Sequence, residues 1–80
     1  MEQKIQEYIM KIAKKEGIDI NEASDLFETG VLDSLRIIML LTFLQDEFSI
    51  DFEMEDLDYK NFQSLQSIYE WTKKVKKVKK

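Results

Sequence analysis

The chain has no cysteine and no histidine among its 80 residues. Disulfide stapling is therefore excluded. Thiol catalysis, histidine acid–base catalysis and the usual zinc sites lose the residues they depend on. There is no proline, and the only glycines are Gly17 and Gly30, so little interrupts helical patterning. Long apolar runs are missing as well. The longest, Ile37 to Leu41, is far short of the roughly 20 residues a helix needs to cross a bilayer. The opening MEQKIQEYIM reads as an amphipathic helix rather than a signal peptide. These features lead us to expect a cytoplasmic chain with no stable membrane insertion.

Basic side chains are scarce outside one place. Six of the twelve lie in the tail KKVKKVKK, residues 73–80, which leaves six against sixteen acids and a formal charge of -10 in residues 1–72. Between Asp19 and Asp58 twelve acids face a single base, Arg36. Such a body repels phosphate backbones, so nucleic acid is not an expected partner. The plain reading of the lysine tail is a solvated helix end, where cations suit the dipole. Contact with an anionic surface is the alternative.

What is present suffices for one small core. Hydrophobic residues make up 44% of the chain and aromatics 11%, which argues against disorder at a length near the lower limit for independent folding. We expect one domain over 1–80, with 73–80 as its tail. Ile5, Ile9 and Ile12 at helical spacing, with Tyr8 and Ala13 beside them, predict a helix over 2–16. Gly17 follows as a left-handed stop, with Ile18 as its apolar neighbour. Residues 18–33 show no long period. Ile18, Ile20, Leu26, Phe27, Val31 and Leu32 predict that this long loop is packed down, with a turn from Asn21 to Ser24 and a bend at Thr29-Gly30.

The second helix is the clearest, running from Ser34 to about Phe48. Asp33 is its N-cap, and Leu32 can meet Ile37 as a hydrophobic staple. Ile37, Leu40, Leu41, Leu44 and Phe48 share the core arc. Leu35, Ile38, Met39, Thr42 and Phe43 lie off it, more apolar than solvent requires. Leu35, Ile38, Met39 and Phe43 can instead pack under the long loop or against the short third helix, Ile38 and Phe43 more readily than the other two. Residues 49–62 read as loop plus a short helical piece from about Glu53 to Tyr59. A strand through Phe48, Ile50, Phe52 and Met54 would have no partner. Ser64 caps a last helix through Leu65, Ile68, Tyr69, Thr72 and Val75. The expected fold is all-α: a four-helix bundle of three longer helices and one short third helix, with a long loop between the first two.

The chain is a poor candidate for an enzyme. Its carboxylate pairs, such as Asp46 with Glu47, face different ways on a helix. The acids from Asp46 to Asp58 lack the glycine-centred spacing of a calcium loop. We therefore expect no catalytic residue and no metal. One position invites chemistry. Local pattern reads Ser34 as a helper in capping, but Asp33 already fills that role, and Ile37 stands where a serine capping box needs Glu or Gln. Ser34 is thus left at the first helical position with a free hydroxyl beside unpaired N–H groups. A phosphate ester would be stabilised there.

The stretch DLFETGVLDSLRIIMLLTFLQDEF, Asp25 to Phe48, resembles the attachment region of acyl carrier proteins and peptidyl carrier domains. Asp33-Ser34-Leu35 matches the family's Asp-Ser-Leu hallmark at the start of the second helix. Asp25-Leu26-Phe27 and Gly30 match its loop, and Leu40, Leu44 and Phe48 its buried helix positions. NFQSLQSIYEWT suits its last helix. The resemblance implies that a phosphopantetheinyl transferase moves 4′-phosphopantetheine from coenzyme A onto Ser34. The arm's thiol then holds an acyl or aminoacyl group as a thioester for a loading ligase and a downstream transferase. It implies a monomeric carrier serving fatty acid or nonribosomal peptide biosynthesis.

Arg36 and Met39 stand where fatty-acid carriers usually bear acids, and LFETGVLDSL particularly resembles D-alanyl carrier proteins. A specialised carrier loaded by a dedicated ligase follows, with a D-alanyl or other aminoacyl carrier as the alternative. The expected partner contacts are Asp33, Leu35, Arg36, Ile38 and Met39. Arg36 is expected to pair with a local acid such as Asp33 or with a partner carboxylate. From another class, the rival is a helical interaction module whose Ser34 is never modified.

Overall fold

A computed structural model describes residues 2–50 and 58–74. Its helices are α1 (Glu2–Glu16), α2 (Ser34–Phe48) and α3 (Leu65–Lys74), with a 3₁₀ turn at Tyr59–Phe62 before the last. There is no strand among the described residues. Among the described residues the fold is all-helical, with three α-helices. The short helix expected from Glu53 lies outside the described residues except at its end. There Tyr59 opens the 3₁₀ turn instead of closing a helix. Val75 and the lysine tail beyond Lys74 also lie outside them.

α1 forms over the range its periodicity predicts. Ile5, Ile9 and Ala13, spaced four apart, are buried against the core, with Tyr8 and Ile12 half-buried beside them. Glu2 in the first turn and Lys14 and Lys15 in the last suit the helix dipole. The stop is a Schellman arrangement. Gly17, at φ +72°, donates its N–H to Lys14 O at 3.1 Å, and the Ile18 N–H reaches Ala13 O at 2.8 Å.

The loop from Gly17 to Asp33 is held down at many points, which is how so long a connection stays ordered. The Asn21 side chain accepts the Ala23 N–H at 2.8 Å, making the expected turn to Ser24. Leu26, Val31 and Leu32 are buried. The Leu26 N–H donates to Gln63 O at 2.7 Å and the Gln66 N–H to Glu22 O at 3.2 Å, tying the loop to the entry of α3. Gly30 turns the chain at φ +88°, a conformation that favours glycine.

Leu40, Leu41 and Leu44 of α2 enter the core, and Ile37 and Phe48 pack at its margin. Phe43 is also partly buried and packs against the core, while most of the short third helix expected beside it lies outside the described residues. Phe43 stacks on Tyr8 of α1, with ring centroids 4.4 Å apart. Ile38 stays exposed. α3 packs on α1 and begins at Ser64, whose Oγ accepts the Ser67 N–H at 3.1 Å. Phe62 from the 3₁₀ turn meets Trp71 of α3 edge to face. The result places the start of α2, the end of the loop and the 3₁₀ turn side by side.

Candidate functional site

Asp33 is extended, at φ -147° and ψ -173°, as an N-cap must be. Its Oδ1 accepts the Arg36 N–H at 2.9 Å, and its carbonyl accepts the Ile37 N–H at 2.9 Å to start the helix. Ser34 is therefore the first helical residue, and it is exposed. Among the described residues nothing is hydrogen-bonded to its hydroxyl. The N–H groups at 34 and 35 belong to the first turn, which lacks intrahelical partners. No acid lies within that turn, and Asp33 caps it. A phosphate ester on Ser34 fits this setting by charge and by access.

Arg36 pairs with an acid of its own chain, though with Glu16 rather than the Asp33 named from the sequence. Its guanidinium forms no ion pair with Asp33, whose Oδ1 accepts the Arg36 backbone N–H. Instead Nη2 bonds Glu16 Oε2 at 2.8 Å, and Nη1 donates to the carbonyls of Gly30 and Val31 at 3.3 Å each. Arg36 thus fastens the last residue of α1 and the end of the loop to the first turn of α2. The cause is the fold itself, which brings the α1 C-terminus beside the α2 N-terminus. Leu35, Ile38 and Met39, at three- and four-residue spacing, form an exposed apolar strip beyond it, 66%, 61% and 52% exposed.

A groove of about 620 Å³ opens beside Ser34. It is lined by buried Leu32 and Phe62, by half-buried Ile37, by exposed Asp33 and Ser34, and by Phe27 and Tyr59. The last two pack with centroids 4.4 Å apart. Behind them stands Asp25. Its Oδ1 accepts the N–H groups of Phe27 and Glu28 at 3.0 and 2.9 Å, and its Oδ2 accepts the Gln63 amide at 3.1 Å and the Tyr59 hydroxyl at 3.2 Å. The Glu28 N–H and the Gln63 amide, aided by Tyr59 and Phe27, hold the Asp25 carboxyl below its ordinary range against an opposing desolvation. Desolvation, and then the bond to Asp25, push the Tyr59 hydroxyl up.

The sequence placed Asp25 and Phe27 in a recognisable loop but did not reveal this groove. An aspartate bonding N–H groups two and three residues on is a local turn habit and is legible. The bonds to Tyr59 and Gln63 cross 34 and 38 residues, and nothing in the local pattern announces them. Among the described residues no three acids gather as a metal site would require. Part of the Asp46 to Asp58 cluster lies outside those residues.

Comparison with known proteins points the same way. The family described as "Phosphopantetheine attachment site" matches residues 3–72. A "D-alanyl carrier protein" of Lacticaseibacillus rhamnosus is 40% identical over 48 residues, 60% of this chain. The match spans about half of that relative, 54% of its length. No solved structure matches the chain.

Proposed function

The chain belongs to the phosphopantetheine attachment family, whose members bear 4′-phosphopantetheine covalently on a serine and are carriers rather than enzymes; on that premise we propose that the serine is Ser34. The observation that carries this reading is an exposed hydroxyl at the first position of α2, without a hydrogen bond among the described residues, beside first-turn N–H groups and lining a groove. In the transfer, the Ser34 oxygen bonds to the phosphorus that bears pantetheine. The diphosphate bridge of coenzyme A breaks, the adenosine bisphosphate leaves, and the hydroxyl proton passes to a base of the transferase. Once bound, the arm supplies a terminal thiol that carries an acyl or aminoacyl group as a thioester.

The residues around Ser34 then have separate tasks. Asp33 fixes the helix start, and Arg36 braces it through Glu16 and the loop carbonyls while keeping N–H donors of its guanidinium for a partner carboxylate. Leu35, Ile38 and Met39 offer the modifying and loading enzymes an apolar strip. An aminoacyl cargo is the reading we favour, with D-alanine the first candidate, because a relative of 40% identity is named for that cargo. The chain works as one monomeric domain in the cytoplasm, in a specialised pathway with its own ligase. The test is to modify the protein with a phosphopantetheinyl transferase, digest it, and locate the adduct by tandem mass spectrometry. The adduct is expected on Ser34; an adduct on another serine, or none, refutes the assignment. Loading with D-alanine in preference to fatty acids is expected next.

A further inference from the structure

We propose that Asp25 and Tyr59 form a clasp that positions the arm, by holding the aromatic wall against which the arm's first, dimethyl-bearing segment lies. The inference rests on Ser34 as the attachment point. Tyr59 sits on a four-residue 3₁₀ turn and is 48% exposed, a setting in which a tyrosine ordinarily samples several rotamers. Here its hydroxyl is tied to Asp25 at 3.2 Å and its ring packs on Phe27. Asp25 is itself held by two backbone N–H groups and by Gln63. The loop and the 3₁₀ turn, distant in sequence, thereby become one wall.

Continuity decides the occupant. Ser34 is itself part of the groove's lining, so any chain on its oxygen begins at the groove's edge. The arm's first carbon segment past the phosphate is a branched carbon with two methyl groups, a few bonds away. Those methyls lose water-exposed area against Phe27, Tyr59 and Ile37, which is favourable. A groove of about 620 Å³ is of a size that ordinarily holds a small molecule. The cargo is at the far end of the arm and would reach this groove only if the arm doubled back. Tyr59 is a positioning residue in this arrangement, and Asp25 acts through it.

The test is proton NMR of the intact protein, fully modified but unloaded, with mass spectrometry confirming the modification. Cross-peaks from the two arm methyls to the ring protons of Phe27 and Tyr59 are expected. In Tyr59→Phe, which keeps the ring and removes the hydroxyl, they should weaken by roughly a third or more, the drop expected when loss of one hydrogen bond shifts a mostly closed wall about fivefold towards open. Complete modification without cross-peaks overturns the clasp while leaving Ser34 as the attachment point. Unchanged cross-peaks in Tyr59→Phe overturn it also, as do ring contacts that arise only once an acyl group is loaded. Failure of the wild type to accept the arm at all overturns the attachment reading and the clasp together.

Discussion

At the scale of single residues the site depends on a division of labour between neighbours. Asp33 bonds the helix and Ser34 is left over. Asp33→Ala removes the cap and should cost about 1 kcal/mol of stability, measured by urea unfolding, while leaving the Ser34 hydroxyl chemically intact. Asp25 makes a different kind of contribution. Its carboxyl is held below the ordinary 3.8 in the folded chain, so the unfolded chain takes up the proton first as the pH falls. The stability this provides is full above that unfolded value and is lost as the pH drops through the lower folded one. Acid unfolding followed by circular dichroism from about pH 5 to pH 2 should therefore be less steep in Asp25→Asn than in the wild type. Equal profiles would show that the bonds to Glu28, Gln63 and Tyr59 do not favour the ionised form.

At the scale of the element, α2 has two apolar faces, one buried and one exposed. Leu40, Leu41 and Leu44 hold the core, whereas Leu35, Ile38 and Met39 touch solvent. Met39→Glu should change stability by no more than about 0.5 kcal/mol, as exposed substitutions do. The same change should lower kcat/KM for arm transfer roughly fivefold or more if the strip is a contact surface. Unaltered transfer would remove Met39 from that surface. The far end of α2 stops at Ser49, a non-glycine residue in the left-handed region at φ 52° whose N–H bonds Gln45 O. Ser49→Gly should relieve the steric penalty of that conformation and raise stability by about 0.5–1 kcal/mol in urea.

At the scale of the whole molecule, what could be read from the sequence divides by range. α1 with its glycine stop, the Asp33 cap, the span of α2 and the Ser64 cap are local arrangements, written in periodicities and single turn residues. The placement of Ser34 at the first helical position followed from them. Contacts between segments were not legible. Phe43 lies off the leucine arc and stacks on Tyr8 of α1, a pairing its own helix does not announce, because the packing order of helices is not a property of one helix. Arg36 passed over its neighbour Asp33 for Glu16, twenty residues away, because α1 ends where α2 begins. The groove is the largest omission. It is assembled from the loop, the first turn of α2 and the 3₁₀ turn, and none of the three suggests it separately.

We propose Ser34 as the point of attachment on this carrier domain. The most direct test is the intact mass of the purified protein after incubation with coenzyme A, magnesium and a broad-specificity phosphopantetheinyl transferase, beside a Ser34→Ala control of matched helical content. One phosphopantetheine added to the wild type and none to Ser34→Ala is the predicted result. A wild type that stays unmodified while folded, or a Ser34→Ala protein that still gains the arm, would contradict the claim.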